Sequence, residues 1–217
     1  MFARVVVAAV ATVTTAAGAA AQVPGAPVLQ NAFANPGLAL AANFGGGGGQ
    51  SFYGAAAAWG LGGGKFLVSG AAGVGHSNGS ARGAYGARAT MSVWSTSGGS
   101  LGLGAFAGIG GAPSTKQDGI VNNAALTNLP AGVTIGYRRA LGSHGFSAYA
   151  SPFYRWSRAD IGPTTTSSGS MRVAAGVDFG LSASLGVTAG GEFGGSTAGG
   201  KSSGLFGAAI SFVPGRR

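Results

Sequence analysis

Cysteine is absent from this 217-residue chain, and with it go disulfides, thiol chemistry and cysteine metal sites. Acids are nearly absent as well: Asp118, Asp160, Asp178 and Glu192 stand against thirteen lysines and arginines. The loops holding Asp118-Gly119 and Asp160 are too poor in acids for calcium. The two histidines, His76 and His144, lie far apart in sequence, so no metal-ligand spacing arises. Gly45–Gly49 is followed neither by Lys-Ser/Thr nor by a helix, which argues against a phosphate loop. No cofactor is expected. Despite a formal charge of +9, the basic residues form no run, helix face or aromatic-interleaved motif, so nucleic acid is not an expected partner. Beyond residue 21 no apolar stretch approaches the roughly 20 residues of a membrane-spanning helix. Any insertion into a bilayer must therefore use strands.

The first residues read as a secretory signal. Met1-Phe-Ala-Arg4 supplies a short positive region, Val5 to Val13 a short apolar stretch, and Ala19-Ala-Ala21 a small-x-small cleavage pattern before Gln22. A membrane anchor would need a longer run, and Thr12, Thr14 and Thr15 interrupt this one. The expected organisation is a signal peptide over 1–21, a periplasmic segment over 22–36, one β-domain over 37–212 and a tail over 213–217. For an exported chain, anionic lipopolysaccharide or phospholipid is the expected counter-charge.

What the chain does contain is alternation. Leu101-Gly-Leu103-Gly-Ala105-Phe-Ala107-Gly-Ile109 and Met171-Arg-Val173-Ala-Ala175-Gly-Val177-Asp-Phe179 place a large apolar residue beside a tiny or polar one. On a strand, successive side chains point to opposite faces, so this period sorts residues into a greasy wall and a small or polar wall. Ten such stretches occur, at 37–44, 51–61, 65–75, 82–94, 101–110, 129–139, 145–156, 170–181, 185–194 and 204–212. Most approach the 9–11 residues, roughly, that a tilted strand needs to cross a membrane. The 45 glycines would weaken ordinary strands. They are tolerable where the inner wall of a narrow barrel is crowded.

The connections alternate too. Gly62–Gly64, Ser95–Ser100, Ala140–His144 and Ser182–Ser184 are short, whereas Ala112–Asn128, Ser157–Gly169 and Gly195–Ser203 are longer. That asymmetry fits an outer-membrane barrel with short periplasmic turns and longer outer loops. Aromatics form two expected girdles. Trp59, Phe66, Tyr137 and Phe146 fall towards the short turns, with Tyr53, Tyr85, Tyr154, Trp156, Phe193 and Phe206 at the opposite ends. Trp94 breaks the pattern, because its parity with Arg88 turns it inward unless a bulge intervenes.

With these features the chain resembles the small bacterial outer-membrane β-barrels, the broad group that includes the OmpA and OmpX types. The resemblance implies an up-and-down antiparallel barrel of ten strands, with eight as the alternative. It also implies outer-membrane lipid and lipopolysaccharide as surroundings, and handling by the barrel-assembly machinery. Leu205-Phe206-Gly-Ala-Ala-Ile210-Ser-Phe212 is similar to the C-terminal assembly signal of such proteins, carried by Phe206, Ile210 and Phe212. Val213–Arg217 extends beyond the aromatic that usually ends it.

Setting the greasy wall outward turns Asn43, Ser69, Arg88, Thr134, Arg138, Arg155, Arg172, Asp178, Thr188 and Glu192 into the lumen. Arg88, Arg138, Arg155, Arg172, Asp178 and Glu192 are the expected ion-pair network, with Glu192 diagonally opposite Arg172. Phe52, Phe106, Tyr149 and Phe153 are candidates to close the lumen; left open, it would form a narrow basic pore. No catalytic residue is assigned. His76-Ser77 is similar to the His/Ser pair of lipid A deacylase barrels, but adjacent residues point to opposite faces, and Asn78-Gly79 is a hairpin turn signal. His144, within Ser143-His144-Gly145, reads as a solvated turn residue. The reading that results is an envelope-structural barrel without enzymatic activity. The alternatives are surface binding through the outer loops and lipid A modification.

Overall fold

The computed structural model describes residues 37–47, 50–77, 80–117, 120–123, 125–141, 144–161, 163–194 and 204–214. The expected signal peptide and 22–36 segment lie outside these residues, as do Asn78-Gly79, Asp118-Gly119, Ser143, the 195–203 connection and residues 215–217.

Alternating sequence becomes strand throughout. In chain order the strands are β1 (Gly37–Gly47), β2 (Gln50–Leu61), β3 (Phe66–Ser77), β4 (Ser80–Ser95), β5 (Leu101–Ala112), β6 (Thr115–Gln117), β7 (Ile120–Asn123), β8 (Ala125–Leu141), β9 (His144–Ile161), β10 (Thr164–Gly180), β11 (Leu185–Gly194) and β12 (Leu205–Phe212). Ten of them close a barrel in the order β1-β2-β3-β4-β5-β8-β9-β10-β11-β12, every neighbour antiparallel. The seam joins first strand to last, from Leu40 opposite Phe212 to Gly46 opposite Phe206. Ten strands, not eight, is the count. At a strand spacing of about 4.8 Å and a tilt of about 40°, such a barrel has a backbone radius of about 10 Å.

One rim is built from tight turns. Gly62, Gly63 and Gly64 all have positive φ (59°, 67° and 93°), a succession that only glycine adopts without strain, and they reverse the chain between β2 and β3. The opposite rim departs from expectation. The ladder of β9 and β10 runs out to Ile161 opposite Thr164, so most of the expected 157–169 loop is strand. The polar composition there has a simple cause. A ribbon that has left the apolar band needs no greasy face, so period-two hydrophobicity ends before the strand does. The 112–128 connection carries β6 and β7, which pair as a separate two-stranded ribbon.

Trp94 also finds its explanation. The register of β4 against β5 shifts between Ser92 and Trp94, so Val93 and Trp94 both face outward, each 55% exposed. A bulge inserts one residue and inverts the parity that follows.

The hydrophobic sorting is inside out. Leu38, Leu40, Val68, Val74, Ile109, Val133, Ile135, Val173 and Ile210 are exposed, whereas Asn43, Arg88, Asn128, Thr134, Arg155, Arg172 and Glu192 are buried. A water-soluble sheet protein arranges these classes the other way round.

Candidate functional site

The barrel interior is the place where this chain concentrates polar chemistry. Inward positions are even-numbered on β2, β5, β8, β10 and β11 and on β4 as far as the bulge after Ser92, and odd-numbered on β1, β3, β9 and β12. Each wall therefore contributes a fixed subset of side chains, set by parity alone.

Glu192 is the centre of the charged cluster. The register sets Ala174 opposite it and Arg172 one step further, opposite Gly194. Arg172 forms an ion pair with Glu192 on that diagonal. Arg155 reaches over from β9, and its Nη1 donates to Glu192 Oε1 at 2.9 Å. All three groups are buried, so a single carboxylate sits between two guanidiniums in a low-dielectric interior. Arg88 stacks its guanidinium on the Phe106 ring, with Cζ 3.4 Å from the ring centroid. Phe106 in turn packs against Phe153 at 5.9 Å between centroids, and Ala174 completes that cluster.

Asp178 lies nearer the short-turn rim. It accepts hydrogen bonds from Ser147 Oγ at 2.7 Å and Thr188 Oγ1 at 2.6 Å. Arg138 corrects the sequence reading. It is exposed at the short-turn rim, and its Nε donates to the Gly99 carbonyl at 2.6 Å. Its parity is inward, but β8 ends three residues later, so the side chain has passed the packed interior and pins the β4–β5 turn instead.

The opposite wall is made of small residues. Ala41, Ala56 and Ala209 pack together with Ala71 against them, and Asn43 is buried among their strands. Among the described residues, neither the amide nitrogen nor the oxygen of Asn43 has a hydrogen-bond partner. Tyr149 lies along the inner wall over β10 and β11, its hydroxyl beside Gly176 and Gly190, which leave it room. Phe106, Tyr149 and Phe153 are buried, while Phe52 is only half-buried. Every one of the ten barrel strands carries an inward residue no more than 9% exposed. Side chains from every strand thus pack into the barrel interior.

On the outer wall, Trp59, Phe66, Tyr137 and Phe146 ring the short-turn side, joined by Phe179, which meets Phe146 at 5.1 Å. Tyr53, Tyr85, Tyr154, Trp156, Phe193 and Phe206 ring the other, with Phe193 and Phe206 edge to face at 5.3 Å. Phe206, Ile210 and Phe212 all project outward from β12. From Phe146 to Trp156, ten residues of β9 cover about 33 Å along the strand, or about 25 Å along the barrel axis at a tilt of about 40°. His76 is outward as well, its ring 6.2 Å from Tyr53 at the outer girdle. Among the described residues, no three of His, Cys, Asp and Glu come together as metal ligands.

Sequence reasoning placed Arg155 in the charged network but not its partner, because Glu192 lies two strands away, across β10. The Arg88–Phe106 stack is a diagonal of the β4–β5 register, where Thr90 faces Phe106 and Arg88 faces Gly108. Both residues were read as facing the lumen, but the pairing of a cation with a ring was not drawn from that register.

No protein-family model matches the chain, and no curated protein matches it in sequence. Among solved structures, the chain is similar to the N-terminal β-barrel domain of Pseudomonas aeruginosa OprF. That match covers 82% of this chain and 98% of that domain, at 7% identity and a TM-score of 0.35. The closed ten-strand antiparallel barrel stands on this chain's own strand order.

Proposed function

We propose that this chain is an outer-membrane β-barrel with an envelope-structural role and a lumen that is shut at rest. The observation that carries the reading is the outer wall: an uncharged apolar band bracketed by aromatic rings at the roughly 25 Å spacing of a bilayer's hydrocarbon. The packed interior favours a structural role over a standing pore, since passage would require Arg88, Phe106, Tyr149 and Phe153 to move. Lipid and lipopolysaccharide are the proposed surroundings, with Phe206, Ile210 and Phe212 presented to the assembly machinery during insertion. No catalytic role is proposed: Tyr53 occupies the flank of His76, and among the described residues no acid is seen to orient the imidazole.

Two measurements test this. A folded barrel from purified outer membranes migrates differently before and after boiling; a single unchanged band would contradict the reading. In planar bilayers the wild-type protein gives no sustained conductance, whereas Phe106→Ala/Phe153→Ala gives reproducible steps. A wild type as conductive as the double variant would remove the occlusion.

A second reading has one observation in its favour. The ribbon formed by the outer ends of β8, β9 and β10 stands clear of the girdle, and Pro163–Gly169 is exposed on both faces. Its threonines and serines would suit polar contacts to another surface. Loss of cell-surface binding on replacing Thr164, Thr165 and Thr166 with glutamate would favour adhesion.

A further inference from the structure

Along most of its height the outer wall carries no charge. At the short-turn rim, however, the β8–β9 hairpin sets two basic side chains on its outward face. Arg139 follows Tyr137 on β8 and lies opposite Phe146, while His144 precedes Phe146 on β9. Both are exposed. Diagonal neighbours on one face of an antiparallel pair are about 7–8 Å apart, so the guanidinium and the imidazole share one patch. Tyr137, Phe146 and Phe179 form the aromatic belt immediately towards the middle of the wall, the last two in ring contact.

The charge at this patch is uncompensated among the described residues. Asp178 and Glu192 face the lumen, and Asp160 lies at the opposite rim. There the outward cation, Arg158, is neutralised by Asp160 through Nε contacts of 3.0 and 3.1 Å. Arg139 and His144 have no such ion pair among the described residues. A guanidinium fork beside a second donor, set just past an aromatic belt, matches a phosphate whose ester continues into hydrocarbon.

We infer that Arg139 and His144 form a binding site for the headgroup phosphate of an anionic phospholipid in the leaflet at the short-turn rim. Arg139 supplies the bidentate contact and His144 the second donor, while the acyl chains run along Ile135, Tyr137 and Phe146. The inference rests on the membrane-embedded reading proposed above, and its test is kept separate from that reading. The full chain, folded in detergent micelles, is exposed to phosphatidylglycerol or phosphatidylcholine, and retained lipid is read by native mass spectrometry. The wild type retains phosphatidylglycerol in preference to phosphatidylcholine. Arg139→Gln lowers that retention about tenfold, the loss of one charge-assisted contact. Arg139→Lys retains an intermediate amount, and Arg158→Gln at the far rim changes nothing. Mobility before boiling reports the fold of each variant, so loss of the barrel and loss of the lipid site are read apart. Equal retention by wild type and Arg139→Gln overturns the inference. So does displacement of the lipid by inorganic phosphate at matching concentration, which would mark a site for free anions instead.

Discussion

A carboxylate between two guanidiniums is stable only as a set. Removing the Glu192 charge leaves Arg155 and Arg172 buried without it, and breaking such a cluster costs about 3–5 kcal/mol. Glu192→Gln should therefore lower the unfolding free energy of the barrel in lipid, read from a urea titration, by an amount of that order, and the midpoint with it. Asn43 is expected to behave oppositely. Its amide is buried without a hydrogen bond to any described residue, a condition that costs about 1–3 kcal/mol, so Asn43→Leu should leave the midpoint unchanged or raise it. A Glu192→Gln barrel as stable as wild type would remove the cluster from the account. Asp160, outside the apolar band, is sensitive to pH. The Thr165 hydroxyl, at 2.6 Å, and then Arg158 hold its carboxyl below the ordinary value. Its stabilisation of the ribbon is thus complete above the unfolded value of about 3.9 and drains away as pH falls through the lower folded value. Amide exchange over Trp156–Ser168, corrected for intrinsic rates, should accelerate below about pH 4 in wild type. In Asp160→Asn that acceleration should be absent. The Glu192–Arg172 diagonal was legible in the sequence because it follows from one hairpin register. Arg138 was not, because parity reports which face a side chain takes but not whether it still lies level with the packed interior.

At the scale of the element, hydrophobic alternation located all ten barrel strands but ended several of them early. It reads the part of a strand whose outward face is apolar. The outer reaches of β8, β9 and β10 hold their ladder with Ser157, Thr164, Thr165, Thr166 and Ser167, which carry no such period. The Trp94 bulge was flagged by its broken parity and confirmed by the register shift at Ser92. Face assignment makes a sharp prediction on β8 and β10. Val133→Arg or Val177→Arg, on the outward face, should cost about 2–4 kcal/mol and impair insertion. Gly136→Ser, on the buried inward face of β8, should be milder. If the two kinds of substitution reduce the folded fraction equally in a vesicle-insertion assay, the faces are assigned wrongly.

For the whole molecule, closure decides the chemistry. β1 and β12 leave no sheet edge, so every strand can satisfy its backbone hydrogen bonds without water, which is what a bilayer demands. The same closure turns ten polar half-strands towards one another, and the side chains they carry fill a cylinder about 10 Å in radius. The central claim is that hydrocarbon, not water or protein, is the solvent of the outward side chains. The absence of native cysteine makes a spin-label scan direct. Single cysteines at 131 through 136 on β8 would be labelled in lipid vesicles, and their collisions with oxygen and with a water-soluble nickel chelate compared. The account predicts a period of two: high oxygen and low nickel accessibility at 131, 133 and 135, with low accessibility to both at 132, 134 and 136. Labels at 131, 133 and 135 that meet the nickel reagent freely would contradict it.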